Sequence, residues 1–117
     1  MVEMRRIEIE EIGGVTVVKF VDEKIMDEGN IQIMGNQMFG LVDEDGRKKI
    51  ILDFSNVKYL HTAALSKFTT MNKRAKNAKS RLRFCCISGQ PLEVFTISLL
   101  NRLFDIFDTL EEALEGF

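Results

Sequence analysis

Two short, almost uninterrupted apolar runs constrain this chain more than anything else in it: Lys49–Phe54 (KIILDF) and Leu82–Ile87 (LRFCCI). A strand with one face in water alternates apolar and polar residues. A run apolar on both sides is covered on both faces, as inside a mainly parallel sheet. Parallel neighbours need a crossover, and the segment between the runs supplies one. There Ala64, Phe68, Met71 and Ala75 recur at helical spacing and make one apolar face, while Lys67, Lys73, Arg74 and Lys76 fall elsewhere around the helix.

The rest of the chain extends this pattern. Arg6 to Glu10 alternates around Ile7 and Ile9, Val15 to Val21 is rich in β-branched residues, and Gly13-Gly14 between them predicts a tight hairpin turn. Asp27 and Asn30 offer caps for a helix whose apolar face is Ile31, Met34, Met38, Leu41 and Val42, closed by Asp43-Glu44-Asp45-Gly46. Ser88-Gly89-Gln90-Pro91 starts a third helix, with Leu92, Phe95 and Leu99 as its core stripe. Leu103–Phe107 reads as a last strand, and Thr109 with Glu112 as a capping box for a terminal helix. The order is β-β-α-β-α-β-α-β-α. It predicts an α/β fold, a mixed sheet of about four to five strands with about four helices, in one domain over residues 1–117.

Several function classes lack the residues they need. No apolar run approaches the ~20 residues of a membrane span, and Met1 to Glu11 is Glu-rich without a signal-peptide core, so a cytoplasmic protein is expected. His61 is the only histidine, there is no phosphate-binding glycine loop, and Asp43–Gly46 lacks the ligand spacing of a calcium loop. A His61–Thr62 dyad has neither a positioned base nor an oxyanion site. The expectation is therefore no enzyme, no metal and no cofactor. Cys85 and Cys86 fit neither a disulfide framework nor a CxxC pair; in a strand they would point to opposite faces as reduced, structural thiols.

Charge is unevenly distributed. The net charge is −2, yet no acid occurs between Asp53 and Glu93, where Lys58, Lys67, Lys73, Arg74, Lys76, Lys79, Arg81 and Arg83 lie. One basic face and one acidic face are expected. The basic stretch could serve as a nucleic-acid footprint. The acidic balance and the few nearby aromatics, Tyr59, Phe68 and Phe84, make a solvated helix face the better reading, with no direct nucleic-acid binding expected.

The segment Ile51–Ala75 (ILDFSNVKYLHTAALSKFTTMNKRA) resembles the central signature of bacterial anti-sigma factor antagonists, members of the STAS family. In that signature a buried strand and a turn lead to Asp-Ser-(Ser/Thr/Ala)-Gly-Leu at a helix start; here the motif is His61-Thr62-Ala63-Ala64-Leu65. Val94–Leu100 resembles the family's Leu-Phe-Asp-Ile-Thr-Gly-Leu, and Ile25-Met26-Asp27 the end of its Gly-Glu-Ile-Asp. The resemblance implies a STAS fold and a transcription-regulating binding switch rather than an enzyme. The partner it implies is an anti-sigma factor that is itself a serine kinase. It implies phosphorylation at Thr62, and partner binding through Asp27, His61, Thr62, Ala63 and Ala64. Two other readings stand beside it: Thr62 as an N-cap worth about 1 kcal/mol, and an unphosphorylated STAS scaffold in a signalling assembly. The sequence departs from the family pattern at His61 (for Asp), Ala64 (for Gly) and Leu99 (for Gly), which marks a divergent branch.

Overall fold

Gly13 and Gly14 join β1 (Ile7–Ile12) to β2 (Val15–Phe20) with φ of 56° and 82°. Positive φ at both turn residues matches the twist of paired strands, and glycine adopts it without steric cost. The structure, a computed structural model, describes residues 4–117; residues 1–3, the beginning of the Glu-rich N-terminal stretch, lie outside the described residues. After the hairpin come β3 (Lys24–Ile25), α1 (Glu28–Asp43), β4 (Lys49–Asp53) and β5 (Tyr59–Leu60). A 3-10 turn (Thr62–Ala64) then opens α2 (Leu65–Asn77), followed by β6 (Arg81–Cys85) and α3 (Gly89–Ile97). A second 3-10 turn (Leu100–Arg102), β7 (Ile106–Phe107) and α4 (Leu110–Leu114) complete the chain.

The main sheet has the order β1-β2-β4-β6-β7, antiparallel between β1 and β2 and parallel elsewhere. This is the expected α/β architecture. Its two buried runs occupy the central strands. Ile50, Leu52 and Phe54 enter the larger core, with Val18, Phe20 and Phe84 beneath α1, α2 and α3, while Ile51 enters a second core on the opposite face. There Val15, Val17 and Cys85 meet Ala113, with Leu110, Leu114 and Phe117 packed alongside. The lack of alternation in Lys49–Phe54 thus has a direct cause: both faces of β4 are covered.

All five residues assigned to the apolar face of α1 are buried, as are Ala64 in the turn before α2 and Phe68, Met71 and Ala75 on α2. The C-terminal third departs from expectation. Of the proposed stripe on α3 only Phe95 is buried; Leu92 and Leu99 are exposed. The expected strand Leu103–Phe107 shrinks to two residues, and Leu103 lies in solvent. Leu92 lies within α3 on its outward side, and Leu99 falls beyond the end of the helix at Ile97. Leu99 follows the C-cap Ser98 with φ 63°, the left-handed conformation that closes helices and favours glycine.

Leu99 therefore occupies the one position of its stretch where the family pattern has glycine. An L-residue in this conformation costs roughly 1–2 kcal/mol, and the greater chain entropy of unfolded glycine offsets part of that. Because the side chain is 56% exposed, little burial is lost with it. Leu99→Gly should raise stability by about 0.5–1 kcal/mol in urea denaturation. A loss instead would show that the leucine side chain packs usefully in solution.

Candidate functional site

β3 and β5 form a separate two-stranded parallel ribbon, Lys24 opposite Tyr59 and Ile25 opposite Leu60. Lys58 and Tyr59 donate their backbone N–H groups to the Glu23 carbonyl at 2.8 and 3.1 Å, and His61 donates to that of Ile25 at 2.9 Å. Each strand runs straight into a helix start. β3 leads through Met26 and Asp27 into α1, and β5 leads through His61 into the turn before α2. The ribbon therefore holds two helix N-termini side by side, and α1 touches the Thr62–Ala64 turn.

Both starts are capped by side chains. Asp27 Oδ1 accepts the N–H of Asn30 at 2.9 Å, and His61 Nδ1 accepts that of Ala63 at 2.9 Å. The cap at the second start is therefore His61, and the reading of Thr62 as N-cap is corrected. Thr62 stands one position further on, as the first residue of the turn, and is exposed. A third helix start is tied to the same ribbon. Gln90, in the first turn of α3, accepts the Leu60 N–H at 2.7 Å and donates to the Leu60 carbonyl at 3.1 Å. Its side-chain amide stands in for a neighbouring strand. The sequence carries no signal for this role beyond the position of Gln90 next to Pro91.

The structure brings Asp27, His61, Thr62 and Ala63 to one surface but withdraws Ala64 from it. Asp27, Thr62 and Ala63 are exposed, His61 is half-buried, and Ala64 is fully buried. Ala64 is thus a floor for the turn, with no side chain to offer a partner. Met26 and Tyr59, 46% and 49% exposed, add apolar area beside these polar groups.

Histidine at the motif's acidic position does a local task that an acid could also do. An Asp carboxylate and a neutral imidazole Nδ1 each present a lone pair to an unpaired N–H of the first turn. His61→Ala should cost about 1 kcal/mol, and His61→Asp should retain most of that stability, since an acid also complements the helix start. Urea denaturation of the two variants checks this. Equal losses in both would mean that packing of the imidazole, and not the cap, holds the turn.

The basic segment does not form the single face expected of it. Lys58 pairs with Glu23 at 3.7 Å, Arg74 pairs with Asp43, and Lys67 donates to Gln32 at 2.8 Å. Arg81 and Arg83 lie on the opposite side of the sheet, hydrogen-bonded to backbone carbonyls near the C-terminus. No helix among the described residues is long and apolar enough to cross a membrane.

A family model, the STAS domain, matches residues 6–113. Among solved structures, an anti-sigma-factor antagonist (STAS) domain protein from Planctomyces limnophilus superposes with a TM-score of 0.81 at 19% identity, over 92% of this chain and 94% of that one. The anti-sigma factor antagonist SpoIIAA in its unphosphorylated form gives 0.76 at 14% identity, over 93% of each chain. RsbS from Moorella thermoacetica gives 0.75 at 12% identity, over 95% of this chain and 93% of that one. At these identities the likeness is one of fold.

Proposed function

The chain belongs to the STAS domain family, and from that premise we propose that it is a phosphorylation-switched binding protein, an anti-sigma factor antagonist-like regulator of transcription. In this reading it acts as one cytoplasmic unit and performs no chemistry of its own. Its partner is a serine kinase-like anti-sigma factor, which phosphorylates Thr62. The contact surface is the junction of the two helix starts, with Asp27, His61, Thr62 and Ala63 at its centre and Ala64 beneath.

One observation carries the proposal: Thr62 is exposed at a helix start where another residue supplies the cap. Its hydroxyl is therefore not needed for stability and is accessible to a kinase. Phosphate there adds about −1.5 to −2 charges at the positive end of a helix, so the fold tolerates it while the surface becomes strongly negative. Asp27, exposed on the adjoining helix start, adds to that negative charge.

Capture of partners from cells by wild type, Thr62→Ala and Thr62→Glu tests the reading, with mass spectrometry of the wild-type protein. Thr62→Ala should keep its stability to within about 0.5 kcal/mol, as an exposed site off the cap, and should still capture the kinase-like partner. Thr62→Glu should lose that capture at least about tenfold, equivalent to about 1.4 kcal/mol. Phosphate should be found on Thr62. Equal capture by all three forms, with no phosphate, would leave an unswitched scaffold.

A further inference from the structure

The adjacency of Cys85 and Cys86 predicts thiols on opposite faces of a strand, and that expectation fails. β6 ends at Cys85, and Cys86 takes φ 62°, a left-handed conformation uncommon outside glycine. The turn carries the second thiol back beside the first. Asp53, at the end of β4, lies directly opposite Cys85 in the parallel register. The Asp53 carboxylate and the two sulfurs consequently lie within 4.8 Å of one another, at the ends of the two central strands.

The environment of this cluster is unusual for a carboxylate. Asp53 is only 3% exposed and Cys85 is fully buried. Asp53 accepts the Ser55 N–H at 2.9 Å, and among the described residues it forms no ion pair. Lys19 sits opposite it on β2 without pairing with it. Buried carboxylates ordinarily have a cation or several donors for company. Burial, reinforced by the Asp53 charge, holds the Cys85 thiol protonated, which does not suit a redox or catalytic nucleophile.

We propose that Asp53, Cys85 and Cys86 form a binding site for a borderline-soft divalent cation of the zinc class. Two thiolates and one carboxylate are a zinc donor set and a poor one for magnesium or calcium, which take oxygen ligands. Ligand atoms at about 2.0–2.3 Å from a tetrahedral zinc stand roughly 3.5–3.8 Å apart, so small side-chain rotations close the cluster around an ion. Both thiols release their protons to solvent on binding, so the divalent ion replaces two protons and the site's net charge stays at −1. The fourth position falls to water, reached on the side where Cys86 is only half-buried. Because its ligands come from β4 and from the end of β6, the ion would tie together the two strands that organise the fold. The site is independent of the Thr62 surface and does not rest on the proposed function.

Cobalt(II) titration of the reduced full chain under anaerobic conditions tests the proposal. The expected result is one cobalt per chain with sulfur-to-cobalt charge-transfer and tetrahedral ligand-field bands, bleached by zinc. Zinc should also raise the melting temperature, whereas magnesium and calcium should leave it unchanged. Cys86→Ser should weaken zinc binding by more than the roughly 10- to 100-fold that loss of an outer-shell group costs. Asp53→Asn, which keeps an acceptor for Ser55, is the second variant and should weaken it likewise, with circular dichroism confirming the fold of each. Absence of the charge-transfer bands in protein whose two thiols titrate after unfolding would overturn the site. So would an unchanged zinc response in folded Cys86→Ser or Asp53→Asn.

Discussion

Replacing Phe54 by alanine should remove about 3–5 kcal/mol of folding free energy, the range for truncating a large core aromatic. Phe54 is 1% exposed, immediately after β4, and its ring lies 4.9 Å from Phe20, 5.2 Å from Phe68, 5.7 Å from Phe95 and 6.0 Å from Phe84. Those four rings come from the hairpin, α2, α3 and β6, so one side chain joins most of the larger core. A domain of this size has about 5–15 kcal/mol in total, so the variant should lose a third or more of its stability in most of that range. The backbone at this residue also supports the candidate site. Its N–H reaches the Cys85 carbonyl at 3.0 Å, and its carbonyl accepts the Val57 N–H at 2.9 Å, shaping the turn that enters β5. Urea denaturation should show the loss. In a double-mutant cycle with Phe68→Ala the ring pair should couple by about 0.5–1.5 kcal/mol. A loss below about 1.5 kcal/mol would mean that the neighbouring rings collapse into the space and that Phe54 is not their centre.

The parts of the fold legible in the sequence are those where burial imposes a period. Ile50–Leu52 is apolar without alternation because α1–α3 cover one face and the α4 segment the other, and the buried faces of α1 and α2 follow helical spacing closely. Where burial is slight the signal disappears. The β3–β5 ribbon has two residues per strand, too few for any period, yet it aligns the helix starts that make the candidate site. Leu92, Leu99 and Leu103 are apolar at plausible spacings, but α3 is nine residues long, reaches the core through Pro91 and Phe95, and closes at the left-handed Leu99, so the chain beyond it no longer follows the helical stripe. The site shows the same division. Asp27 is a common capping residue and is found as the cap, whereas histidine is not, so the motif's sequence points to Thr62 although His61 makes the cap. The cysteine cluster was hidden for a third reason: one backbone angle at Cys86 reverses the strand rule that adjacent side chains diverge.

The second core is the place where one polar side chain should matter nearly as much as a buried aromatic. α4 is a single short helix, and helices of five residues do not persist by propensity alone. Thr109 caps its start, accepting the Glu112 N–H at 3.1 Å. Its far end is held from the sheet by Arg83, whose Nη1 donates to the carbonyls of Ala113 at 2.8 Å and Glu115 at 2.6 Å, and whose Nη2 donates to Gly116 at 3.3 Å. The same guanidinium lies 4.4 Å from the Phe117 ring centroid and 5.1 Å from that of Phe107. Hydrogen bonds from a charged donor contribute about 1.5–3 kcal/mol, and cation–π contacts at partly exposed sites about 0.5–1 kcal/mol. These contributions overlap, so Arg83→Ala should cost about 2–3 kcal/mol. Arg83→Lys separates charge from geometry, because a lysine ammonium keeps the charge but not the planar fork that reaches three carbonyls at once. It should recover less than half of the loss. Hydrogen exchange should locate the damage: amides of α4 and its flanks lose protection in both variants, while those of α2, on the other face, keep theirs. Val15, Val17 and Ile51 would then lie under a detached helix, and the protein should bind hydrophobic dyes that the wild type does not. Wild-type stability and full α4 protection in Arg83→Lys would show that charge alone secures the C-terminal segment and that the fork geometry is incidental.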